Sequence, residues 1–450
     1  VTVRALAAAA ALATAALAAP AGALPRTEAV IVLLRPGTSP ADVLARYGVA
    51  ALPRPGHVWT GAVDGFALAA PAPVVAALAG DADVVAVEPD VPVAVEPFDQ
   101  VYAVAPAGPQ RTPHGVLRIG AAASHQHSGD GKGAVPLGVA VLDTGVAHHP
   151  DLDVRGGYDC TGAGTYDDRN GHGTHVAGTI AAKDDGAGVV GVAPGARVYG
   201  IRVLGPDGKG SSSDMICGLD WVYRHAGTVD VANMSVVVPL KTRGDATGCA
   251  AAGRDGDVLH VVTCAVVGRG VLLVASAGND TKDFRQVGPA AYREVLTVTA
   301  MADFDGAPGG YGERACGADG IDAGDAGTAQ ADLRDDAAAP YSNFAPADGP
   351  AAAHTVAAPG TCVLSTWLNG GYAMIQGTSM AAPHVAGLAL LCLDARRCPR
   401  HRPATTIRTI AQVAKAHWQS GFSGSPTSPV YDKAMRAYRW YGPLVNAATF

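Results

Sequence analysis

PLGVAVLDTGV, residues 136–146, opens on an almost unbroken apolar run of strand length that closes on Asp143. A strand with one wet face alternates apolar and polar residues, whereas a near-continuous apolar run is covered on both faces. Four further runs read the same way: ARVYGIRVL (196–204), VDVANMSVVV (229–238), GVLLVASAG (270–278) and VLTVTAM (295–301). Helical stretches such as SSDMICGLDWVYRHA (212–226) fall between them. Strands alternating with helices predict an α/β domain over 114–450, built on a mostly parallel, doubly covered sheet. Ligands bind such sheets outside the carboxyl ends of the strands, and Asp143 stands at one of those ends. Taken alone, an Asp there reads first as a turn residue held by its own backbone.

Upstream, residues 28–95 read as a separate small unit. AVIVLL (29–34), GFALAA (65–70) and VVAVEPDVPVAV (84–95) are strand candidates, with Pro89 and Pro92 marking the last as an edge strand. SPADVLARYG (39–48) and PVVAALAGD (73–81) are helix candidates, and the order indicates an α+β layer fold. EPFDQVYAVAPAGPQRTP (96–113) is proline-rich without periodicity and is expected to be an exposed linker open to proteolysis. The first 23 residues, with Arg4, an Ala/Leu run and Ala21-Gly22-Ala23, fit a secretory signal peptide. The run from Ala5 to Ala19 falls short of the roughly 20 apolar residues a spanning helix needs. Residues 303–340, rich in Gly, Asp and Ala, read as a long surface excursion.

Two more stretches carry candidate chemistry. NGHGTHVAGTIAA (170–182) sets His172 between Gly171 and Gly173 before a small-residue helix. His172 and His175 do not have an acidic or cysteine partner at zinc-enzyme spacing. GTSMAAPHVAG (377–387) places Ser379 at the mouth of an apolar helix, where a Ser is either a cap or a nucleophile held in the field of the helix N-terminus. An Asp that orients a His, which takes the proton of a Ser, is a working nucleophilic set, and these residues appear in the order Asp, His, Ser.

With VLDTGV around Asp143, NGHGTHVAGT around His172, SAGND around Asn279 and GTSMAAPHVAG around Ser379, the chain resembles the subtilisin-like serine proteases, nearest the secreted proteinase K-type branch. The resemblance implies Ser379 as nucleophile, His172 as general base and acid, Asp143 as orienting carboxylate and Asn279 as oxyanion donor. It implies substrate binding as an added strand between Gly208-Lys209-Gly210 and Ser235-Val236-Val237, with Ser276-Ala277-Gly278 beside the primary pocket. The family usually has Ser-Leu-Gly-Gly where this chain has Ser235-Val236-Val237-Val238. The bulkier residues are expected to narrow the pocket mouth. By the same resemblance the unit within 24–95 is an inhibitory propeptide, removed by self-cleavage within 96–110.

Eight cysteines in an exported chain suggest disulfides rather than zinc. The resemblance implies Cys160–Cys217, Cys249–Cys264 and Cys316–Cys362, leaving Cys392 with Cys398. The chemistry of the family needs no cofactor. Calcium is bound by relatives, and oxygen ligands would be sought at Asp167-Asp168 and in 319–336. A net charge of −7 and the lack of a basic block speak against nucleic acid. The expected protein is a secreted, monomeric endopeptidase acting on peptides or proteins, with no membrane attachment once the signal is removed. The rival readings are a catalytically weak relative that binds peptide without turnover, and an esterase or ligase using the same acyl-enzyme.

Overall fold

The computed structural model describes residues 27–51, 57–95, 101–104, 109–240, 244, 248–250, 252–253, 256–312, 333–417, 427–432 (backbone alone) and 436–450. The expected signal, Cys316 and most of the acidic stretch 319–336 lie outside the described residues.

The first unit is β1 (Thr27–Leu34), α1 (Pro40–Tyr47), β2 (Val58–Thr60), β3 (Asp64–Pro71), α2 (Ala72–Ala79) and β4 (Val84–Pro89), followed by the short β5 (Pro92–Ala94). Ser39 starts α1 by accepting the Asp42 amide at 3.3 Å, and Gly48 ends it in the left-handed region at φ 61°. The first four strands form an antiparallel sheet in the order β2-β3-β1-β4. Alternation along β1 explains how this sheet is used. Val30, Val32 and Leu34 pack with Val43 and Leu78 of the two helices, while Ile31 and Leu33 face the large domain. The run read as one strand over 84–95 is two, broken at Asp90-Val91.

After β6 (Tyr102–Val104) and the short α3 (His114–Arg118) comes the large domain. Its sheet takes in β7 (Gly138–Asp143), β8 (Asp153–Asp159) and β9 (Arg197–Arg202), then, after the short β10 (Lys209–Ser211), β11 (Val231–Met234). Beyond β12 (Val238–Pro239) it continues with β13 (Leu272–Ser276) and, past β14 (Val287–Gly288), β15 (Leu296–Ala302) and β16 (Ala337–Ala338). The order is β16-β15-β13-β11-β7-β9-β8, parallel except for β16. Downstream lie β17 (Ala345–Pro346), β18 (Thr355–Pro359), which joins the sheet parallel to β15, β19 (Val363–Thr366) and β20 (Tyr372–Ile375).

Four helices cover this sheet: α4 (His172–Ala181), α5 (Ser212–Arg224), α6 (Val258–Gly268) and α7 (Thr378–Asp394). Alternation along β7 assigns them to faces. Val139 and Val141 pack in the core that holds Ile180 of α4 and Leu388 of α7, whereas Ala140 and Leu142 pack with Leu219 of α5 and Val262 of α6. Both faces are therefore dry, which is why the strand sequences show so little polarity. A further helix, α8 (Pro403–His417), lies near the end of the chain.

Part of the stretch read as a linker is paired: β6 runs antiparallel to β20, and the Arg111 amide donates to the Gly188 carbonyl at 2.8 Å. Among the described residues, three disulfides join Cys160 to Cys217, Cys249 to Cys264 and Cys392 to Cys398. No helix among the described residues is long and apolar enough to cross a membrane.

Candidate active site

Three strand ends build the site. Adjacent parallel strands β7, β11 and β13 finish at one edge of the sheet. Asp143 is the last residue of β7, Ser235 follows β11 directly, and Asn279 lies just past β13. Asp143 is fully buried and accepts the Thr144 amide at 2.7 Å. His172, the first residue of α4, sets its Nδ1 2.8 and 2.9 Å from the two carboxylate oxygens of Asp143. Nδ1 carrying the proton toward a carboxylate leaves Nε2 as the basic nitrogen. Gly173 permits this approach, because a Cβ there would collide with the Gly145 carbonyl and crowd Asp143.

Asp168 sets where α4 begins. Its Oδ1 accepts the Thr144 hydroxyl and the Asn170 and Gly171 amides at 2.9, 2.8 and 3.0 Å. Its Oδ2 accepts the Thr174 amide and hydroxyl at 3.0 and 2.7 Å. One buried carboxylate thus ties the neighbour of Asp143 to the first turn of the His172 helix. Five donors occupy it, so Asp168 is a structural clamp. His175 also turns away from the site: its Nε2 lies 2.9 Å from the Val363 carbonyl, and burial lowers its pKa to about 3. His384 is likewise kept neutral by burial, with a pKa lowered to about 4.

Ser379 stands in the first turn of the 17-residue α7, only 6% exposed. Pro383 sits four residues on and has no N–H, so it cannot close the helical bond to the Ser379 carbonyl. Ser235 Oγ donates to that carbonyl instead, at 2.8 Å, and Ser379 Oγ reaches the Ser235 carbonyl at 3.3 Å. A residue expected to line the substrate path therefore also anchors the serine's backbone. Asn279 is oriented by Thr378, whose amide and hydroxyl both donate to Asn279 Oδ1, at 2.9 and 2.8 Å. An amide N–H only donates, so the atom facing it is the oxygen, and Nδ2 points elsewhere. Gly377, at φ 143°, leaves space for that amide, since a Cβ there would come 3.1 Å from Asn279 Nδ2.

The remaining predicted substrate residues form two walls. Ser276 and Ala277 are buried, and Gly278 donates its amide to the Thr378 hydroxyl at 3.0 Å. Val236 is buried and Val237 half-buried. The chain's own β5 runs between β10 and Val237. It pairs antiparallel with β10, matching Lys209 to Ala94, Gly210 to Val93 and Ser211 to Pro92. The Val95 amide extends this pairing by donating to the Gly208 carbonyl at 3.0 Å, and on the other side Ala94 and Val237 exchange backbone bonds of 3.0 and 3.3 Å. Gly208, Lys209, Gly210 and Val237 thus pair with the segment 93–95, while Ser235 holds Ser379.

The small unit is tied to α5 through carboxylates. Asp90 Oδ1 accepts the Ser212 hydroxyl and the Ser213 amide, both at 2.9 Å, and Oδ2 accepts the Ser213 hydroxyl at 2.6 Å, all at the N-terminus of α5. Asp220 of α5 accepts the Gly61 and Ala62 amides at 3.1 and 2.6 Å. His57 lies 3.1 Å from Asp214 with both side chains buried. Sequence reading missed these partners because nothing local marks them. Cys249 and Cys264 approach His260 and Glu294 as metal ligands would, but the disulfide between them removes the thiolates.

A model of the Subtilase family of peptidases matches residues 136–425. Subtilisin BL of Lederbergia lenta is 35% identical over 283 residues, 63% of this chain and 84% of that protein. M-protease of Shouchella clausii strain KSM-K16 is also 35% identical over 283 residues, spanning 60% of its own length. A solved structure described as a cold adapted subtilisin-like serine proteinase is 26% identical, covers 69% of this chain and 88% of its own, and has a TM-score of 0.46.

Proposed function

The chain belongs to the subtilase family and is a serine-type endopeptidase, and we propose that Ser379, His172, Asp143 and Asn279 carry its chemistry. The observation that carries this reading is the buried Asp143–His172 pair at 2.8 Å, at the same sheet edge as a serine in the first turn of a long helix. Ser379 Oγ attacks the scissile carbonyl as His172 Nε2 takes its proton. Asp143 holds the Nδ1 proton and stabilises the imidazolium. The new oxyanion is met by Asn279 Nδ2 and the Ser379 amide, with the N-terminal field of α7 behind them. His172 returns its proton to the leaving amine nitrogen, the C–N bond breaks, and an acyl-serine remains. Water, deprotonated by the same imidazole, then releases the acid and restores Ser379.

Asn279→Ala is expected to lower kcat about 10²- to 10³-fold, the range known for this donor in subtilisin, with little change in KM. Kinetics on a short peptide amide check this. Equal falls in kcat and kcat/KM place the interaction in the transition state, whereas a rise in KM alone makes Asn279 a ground-state contact.

The docked strand β5 supports a second part of the proposal: the unit over 24–95 is an inhibitory propeptide, held as a substrate would be and freed by cleavage within 96–110. Secretion and action on extracellular peptides or proteins follow from the same reading. Val237 and Val238, where relatives usually carry two glycines, narrow the primary pocket. Small side chains should therefore precede the cleaved bond. Digestion of a peptide mixture, with the new termini read by mass spectrometry, tests this. A clear preference for Phe, Tyr or Trp before the cut would refute it. Digestion without any cut would favour the peptide-binding alternative.

A further inference from the structure

His260 and Cys264 stand four residues apart in α6 and so share one face of the helix. Cys249, ahead of that helix, and Glu294, just before β15, meet them there. One ligand atom from each of the four side chains lies within 4.8 Å of all the others. His260 is 2% exposed, and its ring is held in place by stacking on Tyr292, 4.3 Å between centroids and 4° from parallel. The Tyr292 hydroxyl donates to Asp257, whose Oδ1 also accepts the His260 amide at 3.0 Å. Glu294 is held as firmly: Oε1 accepts the Cys249 amide, and Oε2 faces His260 Nε2, both at 3.1 Å. Two candidate ligands are therefore fixed in position before any ion arrives.

The other two are the sulfurs of the Cys249–Cys264 disulfide, and among the described disulfides this one is open to a reagent. Cys249 is exposed and Cys264 half-buried, whereas Cys160, Cys217, Cys392 and Cys398 are all buried. Access to sulfur governs thiol–disulfide exchange. A thiolate of a small dithiol that attacks Cys249 Sγ breaks the S–S bond, forms a mixed disulfide and expels Cys264 as a thiolate. The second thiolate of the dithiol then closes the reagent's own disulfide and expels Cys249 as a thiolate. Two electrons pass from the dithiol to the protein, and the two thiol protons pass to solvent.

We propose that in this reduced state Cys249, Cys264, His260 and Glu294 bind a zinc ion. Thiolate, imidazole and carboxylate are the donors zinc takes, four at a time and tetrahedrally. Zinc bonds of about 2.3 Å to sulfur and about 2.0–2.2 Å to nitrogen and oxygen set tetrahedral ligand atoms about 3.3–3.8 Å apart. His260 Nε2 and Glu294 Oε2 already stand close to that spacing, and the sulfurs reach it when their bond opens. The ion takes the place of the hydrogen between Nε2 and Oε2, and the neutral imidazole keeps its proton on Nδ1. The same four side chains then join the segment at Cys249 to α6 and to the approach of β15 in either redox state. Zinc makes the link where thiols stay reduced, and the disulfide makes it in an oxidising compartment. The proposal is independent of the catalytic roles above.

Its test uses the folded full chain carrying Ser379→Ala to prevent self-digestion, treated with dithiothreitol, freed of the reagent without air and titrated with zinc chloride. Alkylation and peptide mapping should find the new thiols at Cys249 and Cys264. The reduced chain should bind one zinc more than the oxidised chain. Cobalt chloride in place of zinc should give thiolate-to-cobalt charge-transfer absorption only after reduction. Cys249→Ser, at an exposed position, should lose the extra zinc. Glu294→Gln keeps the disulfide and an oxygen for the Cys249 amide, and should weaken the extra zinc about tenfold or more, since even outer partners of a ligand matter that much. If Cys249→Ser does not fold, Glu294→Gln decides. The proposal is overturned if the Cys249–Cys264 bond resists the dithiol in the folded chain, or if reduction adds no zinc. It is equally overturned if either variant keeps the extra zinc at the parent's affinity.

Discussion

Ser379→Ala should reduce kcat by roughly 10⁶-fold, the loss known for removing this nucleophile in subtilisin, while leaving the fold intact. The expectation rests on where the hydroxyl is and what it is free to do. Ser379 Oγ makes one long bond of 3.3 Å to the Ser235 carbonyl, so losing it leaves little unsatisfied. The serine's backbone stays in place because its carbonyl is held by Ser235 Oγ rather than by the helix. What disappears is the atom that forms the acyl bond. Residual catalysis of about 10³–10⁴ over water should persist, because oxyanion donors and substrate positioning survive the change. Collapsed turnover with no fall in Tm is the predicted pair of results. Proportional loss of both would mean that the residue is structural.

Asp143→Asn should cost about 10⁴-fold in kcat, and the cause is a tautomer. Asp143 accepts from His172 Nδ1 through both oxygens, at 2.8 and 2.9 Å, with no water-exposed alternative for either residue. An Asn amide placed there can donate to Nδ1, which moves the imidazole proton to Nε2. His172 then offers Ser379 a donor where an acceptor is required. The substitution is nearly isosteric, so KM should stay close to its original value. Nitrogen chemical shifts of the imidazole report the tautomer directly: Nδ1–H in the parent and Nε2–H in the variant. An unchanged tautomer together with a small loss of rate would refute the assigned role of Asp143.

The features that are local in the chain were legible before any coordinates. The apolar run to Asp143 indicated a strand dry on both faces, and β7 divides its side chains between two cores. Glycines flanking His172 indicated close backbone approach, and Gly173 packs against Gly145. Features that depend on distant partners were not legible. Asp168 read, with Asp167, as an acidic pair that could supply oxygens to calcium, and only the fold brings Thr144 and Thr174 to it. VDVANMSVVV read as one strand, yet it breaks after Met234, where Ser235 turns to Ser379 and Val237 pairs with Ala94. The three-residue β2 was too short to give a period.

The proposed function has one direct consequence, that the chain is cut by its own serine. The most direct test is the intact mass of the purified protein beside its Ser379→Ala version, prepared identically. The account predicts that the parent loses its N-terminal segment at a bond within 96–110, while the variant retains that bond. A parent left uncut under folding conditions, or a variant cut at the same bond as the parent, would contradict it.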